Sequence, residues 1–241
     1  MKNTLVILPV RLAAERFNRK PLASINNMPM IIHSLKRALE AKVGEVFVAT
    51  PDIEILDIVK KHGGQAILTT NNHPNGTSRV FEAFTKLKNN DVDLVINLQG
   101  DMPNIKPSSI SKLEKLMREN NSFIGTLASK LEKDEIDDEN VVKVEVETDL
   151  KEDSFLKAKD FFRIKKDLKN KKIYHHLGIY CFQSSYLKRY VELGESKQEK
   201  IQKLEQLRIL GKIDINVGYC DSNPLSVDTV EDLKRIEKEM S

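Results

Sequence analysis

Only two of the 241 residues are cysteine, and Cys181 and Cys220 lie far apart without metal-ligand spacing, which favours reduced, buried thiols over a disulfide or a cysteine metal site. Long hydrophobic runs are missing too. The apolar stretches are strand-sized, and the opening MKNTLVILPVRL passes into a charged loop without a small-residue cleavage site. Neither a signal peptide nor a membrane span is expected, and the expected location is the cytoplasm. An excess of one charge is also absent: 39 Lys and Arg against 36 Asp and Glu leave +3, too little to imply a nucleic-acid partner. The phosphate signatures GxxxxGK[ST] and GxGxxG do not occur, and no internal repeat is visible.

What is present is a regular alternation of patterns. LVILP, EVFVAT, QAILT and DLVINLQGD are short apolar, β-branched runs, separated by the helical patterns MPMIIHSLKRALEAK, DIEILDIVKKHG and SRVFEAFTKLK, and SISKLEKLMREN follows the last of them. That series predicts a doubly wound parallel sheet covered on both faces. Around residues 122–183 the rhythm changes to FIGTLASKL, VVKVEVET, a Lys-rich segment and HHLGIYCF, whose period-two alternation predicts a small antiparallel β insertion. Helical patterns return at SSYLKRYVEL and EKIQKLEQLRIL, then KIDINVGYC reads as a strand and VEDLKRIEKEM as an amphipathic helix. With 40% hydrophobic residues the chain can bury one substantial core, so residues 1–241 are expected to form one domain carrying that insertion. Residues 157–172 hold eight cations against two acids and read as a mobile, solvated loop, with Phe161 and Phe162 packing onto the parent domain.

Candidate chemistry clusters at loops that follow strands. After the apolar run ending at Pro9 comes a loop with Arg11, Arg16, Arg19 and Lys20, placed where open α/β sheets bind ligands and suited to a polyphosphate. DLVINLQGDMP ends a strand with Gly100 and Asp101, a good Mg²⁺ position. A second carboxylate is available in SVDTVEDL at Asp228, although an acid before Thr229, Glu231 and Asp232 also fits a capped helix N-terminus. HHLGIYCF puts His176, Gly178 and Tyr180 on one strand face. Glu205 and Gln206 stand beside an apolar stripe, which by default means a solvated face. HPNGTSR reads as a turn and helix start capped by Thr77 or Ser78, or as a lid over a nucleotide base.

Taken together, these segments resemble the 3-deoxy-manno-octulosonate cytidylyltransferase family, nearly end to end. The family's RxxxxRxxxKPL loop matches Arg11, Arg16, Lys20, Pro21 and Leu22, and its NGTxR turn matches Asn75, Gly76, Thr77 and Arg79. QGDEP appears as Gln99, Gly100, Asp101, Met102 and Pro103, HLGIY as His176 to Tyr180, LEQLR as Leu204 to Arg208, and VDTxEDL as Val227 to Leu233. The resemblance implies a mixed-sheet, glycosyltransferase-A-like nucleotidyltransferase fold. It implies the reaction of CTP with the sugar acid Kdo to give CMP-Kdo and pyrophosphate for lipopolysaccharide biosynthesis, with Mg²⁺ as cofactor and a homodimer as assembly.

By the same resemblance Arg11, Arg16, Lys20, Asp101 and Lys159 are catalytic, and Leu8, Pro9, Thr77, Arg79 and Gln99 join the cations on the nucleotide. Gln99, His176, Tyr180, Glu205 and Gln206 face the sugar, and Asp101 and Asp228 hold the metal. Three departures stand out: Phe17, Asn18 and Arg19 replace the family's Leu-Pro-Gly, Met102 replaces a Glu, and Lys159 replaces an Arg. The alternatives are a CMP-N-acetylneuraminate synthetase-like enzyme and a non-catalytic nucleotide-binding relative. The homodimer also follows from apolar residues such as Phe161 and Phe162 if the insertion leaves them uncovered.

Overall fold

A computed structural model describes residues 3–13, 17–89 and 91–240. The chain forms two compact units, one of Met1–Ser111 with Pro224–Ser241 and the other of Lys112–Asn223.

In the first unit β1 (Asn3–Pro9) is buried from Thr4 onward, as a continuous apolar run with both faces covered requires. A small hairpin of β2 (Ser24–Ile25) and β3 (Met28–Pro29) leads into α1 (Met30–Glu40), which buries Met30, Ile31, Ile32, Leu35 and Ala38. Then come β4 (Glu45–Thr50), α2 (Ile53–Lys61), β5 (Gln65–Leu68), α3 (Gly76–Leu87) and β6 (Val92–Asn97). The strands run in the order β5-β4-β1-β6 and pair in parallel, with Leu8 opposite Val48 and Val6 opposite Ile96. The chain winds outward from β1 to β5 and then crosses to the far side of β1 for β6. The winding therefore reverses between β1 and β6, where such sheets open a crevice at their carboxyl ends. After the second unit the chain returns with α7 (Val230–Glu239), and Val227 and Ile236 join a core cluster with Ile25 and Met30.

The boundary between the units falls inside α4 (Pro107–Glu119). The second unit contains β7 (Ile124–Ser129), β8 (Lys143–Val146), β9 (Phe155–Phe162), β10 (Lys172–Gln183), α5 (Ser184–Glu192), α6 (Lys197–Gln202) and β11 (Ile215–Tyr219). Its strands run β10-β7-β11-β9-β8, and β8 also pairs with β10, so the pairings close on themselves. The pairs are antiparallel except β7 with β11, and the β-rich part extends beyond residue 183 to include β11. Both cysteines are buried thiols that form no disulfide with one another. Among the described residues no helix is long and apolar enough to cross a membrane.

Three local expectations are corrected. Residues 157–172 are not one solvated loop: Lys157 to Phe162 complete β9, where Ala158, Phe161 and Phe162 face the core while Lys157 and Lys159 are exposed. The basic residues masked a strand, because alternation with a cationic outer face satisfies the pleat as well as any polar residue does. Phe161 and Phe162 are buried within their own unit, so they offer no uncovered surface for a second copy. Finally, the run around Leu204 is not one helix. A capping box of Ser196 and Glu199 starts α6, left-handed Lys203 ends it, and Glu205–Arg208 forms a separate 3-10 turn.

Candidate active site

The site in the first unit is assembled from the loops that leave β1 and β6, the first turn of α3 and the segment that enters α7. Proline at the start of the Lys20–Leu22 turn stiffens the backbone that carries Lys20. The Lys20 Nζ donates to Asp101 Oδ2 at 2.7 Å and to Asp228 Oδ1 at 3.0 Å, across 81 and 208 residues of sequence. Burial pushes this ammonium down, but Asp101 and then Asp228 more than compensate, and its pKa is raised. Lys20 is a fixed positive charge.

Asp101 reaches this point because Gly100 lets the β6 loop run close against β1. A Cβ at Gly100 would lie 2.2 Å from Val10 Cγ1. The buried Ser34 hydroxyl donates to the Gly100 carbonyl at 2.9 Å and fixes the loop to α1. Asp228 is available for a different reason. Thr229, not Asp228, caps α7: its side chain accepts from the Asp232 N–H, and Asp232 reciprocates. Relieved of capping, the Asp228 carboxylate turns to Lys20. The expected capped helix start is therefore present, with Thr229 as its cap, and the Asp228 carboxylate lies outside that cap.

Arg79 and Arg11, the arginines expected on the nucleotide side, act on one another electrostatically. Arg79, 3% exposed, donates to Thr69 Oγ1 at 2.6 Å and to the Thr70 carbonyl at 3.0 Å. Burial lowers its pKa first, and the positive charge of exposed Arg11 lowers it further. The carboxylates of Asp52 and Glu82 act in the opposite direction and offset part of that repulsion. Thr77 accepts from Asn97 Nδ2 at 3.2 Å. A Cβ at Gly76 would stand 3.3 Å from Pro9 Cγ and 4.0 Å from Gln99 Oε1, so the start of α3 abuts the ends of β1 and β6. Leu8 is core within β1. Arg16 lies outside the described residues.

The departures also find places. Arg19 is left-handed at φ 58°, the conformation that suits the glycine it replaces, and its guanidinium pairs with Glu54. It is therefore committed away from the Lys20 cluster. Met102 is 4% exposed and belongs to the core, where a Glu would need a buried partner. The cap of α3 is corrected: Asn75, rather than Thr77 or Ser78, accepts the Ser78 N–H at 2.9 Å. Asn next to a glycine at a helix start was the available signal. The buried Asn75 Nδ2 and Asn97 Oδ1 have no partner, and neither residue was picked out as a site residue from the sequence.

In the second unit β10 carries the expected sugar-side residues. Leu177 lies opposite Leu127 and Tyr180 opposite Thr126, so Gly178 and Ile179 form a bulge that keeps His176 and Tyr180 on one side. Their rings are 5.4 Å apart, and His176 also meets Phe161 edge-on at 5.1 Å. Burial, aided by His175, holds His176 down at about 3, so the ring is neutral; Thr126 Oγ1 bonds its Nε2 at 3.0 Å. The Tyr180 hydroxyl is buried without a partner, and burial pushes its pKa well up. Gln206 is buried, and Glu205 accepts the Tyr190 hydroxyl at its carbonyl, 2.9 Å away. Lys159 is exposed at a bulge of β9 and pairs with Glu147 at 2.6 Å.

No group of three or more His, Cys, Asp or Glu suited to a metal occurs among the described residues. Two carboxylates that already share one cation do fit Mg²⁺, which needs one or two carboxylates and completes its shell with water and phosphate.

A cytidylyltransferase family model matches residues 5–214. The 3-deoxy-manno-octulosonate cytidylyltransferase of Rhodopseudomonas palustris strain BisB18 is 42% identical over 234 residues, covering 96% of this chain and 95% of the relative. That of Thermodesulfovibrio yellowstonii is 41% identical over 247 residues, covering 98% and 97%. A solved structure of CMP:2-keto-3-deoxy-manno-octonic acid synthetase complexed with CTP superposes with a TM-score of 0.89 at 32% identity, over 99% of this chain and 98% of that one.

Proposed function

The chain belongs to the cytidylyltransferase family, and we infer that it transfers CMP from CTP to Kdo, releasing pyrophosphate and forming the activated sugar for lipopolysaccharide biosynthesis. The observation that carries the reading is the convergence of Asp101 and Asp228 on Lys20 at the reversal point of the sheet. Motif order supports it, since the relatives named for this reaction align over nearly the whole chain.

In this reaction the C2 hydroxyl of Kdo attacks the α-phosphorus of CTP. A new P–O bond forms, the bond to the β-phosphate oxygen breaks, and the hydroxyl proton is lost. Such transfers ask the protein chiefly for positioning and for charge stabilisation. Arg11, Arg16 and Lys20 hold the triphosphate, and Arg79, Thr77, Gln99, Leu8 and Pro9 seat the nucleotide. Asp101 and Asp228 would hold Mg²⁺, which when bound neutralises charge on the phosphates. On the sugar side the buried Tyr180 hydroxyl has a free hydrogen bond to give, and neutral His176 and Gln206 bind hydroxyls without adding charge. Lys159 adds a cation toward two anionic substrates. The working form is a homodimer in the cytoplasm, checked by light scattering at micromolar concentration.

The test is pyrophosphate release, expected only when CTP, Kdo and Mg²⁺ are all present. Asp101→Asn keeps the ligand's shape and removes its charge, so turnover should collapse while the melting temperature holds. Near-normal turnover in that variant would remove Asp101 from the metal site, and release with N-acetylneuraminate but not Kdo would reassign the sugar.

A further inference from the structure

Arg79 has an unusual seat for a buried cation. Among the described residues its hydrogen bonds go to neutral oxygens, the Thr69 hydroxyl and the Thr70 carbonyl, while Arg11 repels it and the Asp52 and Glu82 carboxylates attract it without a hydrogen bond. Its direction therefore depends on how firmly Thr69 and Thr70 are held. Both belong to the strap between β5 and α3, and Thr70 is exposed.

The strap is held from α3 itself. Glu82, three residues beyond Arg79 on the same helix face, accepts the Thr70 N–H at 3.0 and 3.1 Å through its two oxygens. It also accepts the Thr70 hydroxyl at 2.9 Å, the Lys86 ammonium at 2.7 Å and the His73 ring. His73 in turn lies 3.1 Å from the Thr70 hydroxyl. Glu82 thus grips the strap at Thr70 and His73, and one helix carries both the guanidinium and the carboxylate that holds one of its two acceptor residues.

We propose that Glu82, braced by His73, is a positioning residue for nucleotide binding: it holds Thr70 so that the strap's oxygens aim the Arg79 guanidinium. The proposal rests on Arg79 facing the nucleotide. Glu82 acts on Arg79 through its hydrogen bonds to Thr70 and through its charge, and Thr70→Val probes the first route alone.

Steady-state kinetics with each substrate varied separately tests this. An arginine that binds the nucleotide equally in ground and transition states affects KM and leaves kcat in place. Glu82→Gln, which keeps the shape and weakens the grip, is expected to raise KM for CTP about tenfold, with kcat and KM for Kdo changed less than about twofold. The milder Thr70→Val removes only the hydroxyl contact at an exposed position and should raise KM for CTP about twofold. In an Arg79→Ala background neither change should raise KM for CTP further, because the group being aimed is gone. Effects that add to that of Arg79→Ala, or that appear equally in both KM values and kcat, would overturn the proposal. If Arg79→Ala alone leaves KM for CTP unchanged, the nucleotide-side placement of Arg79 has failed, and the proposal fails with it for a distinguishable reason.

Discussion

Arg208→Met isolates an ion pair that is more deeply removed from water than the others among the described residues. The Arg208 guanidinium donates through Nε to Glu199 Oε2 at 2.9 Å and through Nη2 to Oε1 at 2.6 Å, with the side chains 2% and 8% exposed. Burial pushes the Arg208 pKa down, yet the hydrogen bonds and charge of Glu199 leave it raised. Removing one partner of such a pair costs about 3–5 kcal/mol, because the other charge stays buried alone. The guanidinium also stacks 5.0 Å from the Tyr190 ring, worth about 1 kcal/mol more, while methionine recovers part of the apolar packing. A net loss of about 4 kcal/mol corresponds to a fall in Tm of about 10 °C in a chain of this size. The double variant Glu199→Leu with Arg208→Met should recover more than half of that loss, since it leaves no orphaned charge. Recovery stays incomplete because Glu199 also accepts the Ser196 N–H at 3.2 Å in the α6 capping box. Thermal and urea melts of the three variants decide the matter. A single-variant cost below about 1 kcal/mol, or additive losses in the double variant, would refute the reasoning.

Arg19→Gly should raise stability by about 0.5 kcal/mol, read as a Tm rise of about 1–2 °C: the left-handed strain at φ 58° outweighs the exposed pair with Glu54, and a fall in Tm would contradict this. Burial pushes Glu82 up, but hydrogen bonds from Lys86, Thr70 and His73 bring it from 4.5 down to about 2. A depressed carboxylate stabilises the folded state above its unfolded pKa, so the advantage of wild type over Glu82→Gln, at most about 3 kcal/mol, should be full at pH 7 and shrink as pH falls from about 4.5 to 2. A gap between the two melting curves that is constant with pH would sink that assignment. Lys159→Ala removes only an exposed pair with Glu147, so Tm should stay within about 1 °C. A clear fall in kcat/KM in that variant then supports the catalytic placement, and wild-type kinetics would withdraw it.

The winding of the first unit was legible because its strands are uninterrupted apolar runs, and only a sheet covered on both faces tolerates those. The loops bearing Lys20 and Asp101 were legible for the same reason, since each follows such a strand. The second unit was less so. Its β9 alternates lysines with core residues, and because lysine is depleted in strands such a segment reads as a solvated loop. The bulge at Gly178 and Ile179 shifts pairing by two residues and leaves the face pattern intact, so alternation alone cannot reveal it. The turn at Glu205 was hidden because the helix is broken by the left-handed backbone of Lys203, a residue whose type gives no signal of it.

Asp228 marks where reading along the chain runs out. Capping and ligand binding both call for an acid before Thr229, and sequence position cannot separate them. The separation comes from a division of labour among neighbours: Thr229 and Asp232 satisfy the orphan N–H groups of α7 between themselves, and Asp232 also takes the Asp228 N–H at 3.0 Å. The Asp228 side chain is then held toward Lys20, 208 residues away, which has already drawn in Asp101. A lysine placed between two carboxylates balances their charge while keeping them close together, the arrangement the proposed Mg²⁺ site would need. Two residues flanking the site depart from the family pattern away from the cluster: Arg19 pairs with Glu54, and Met102 is buried among the core residues.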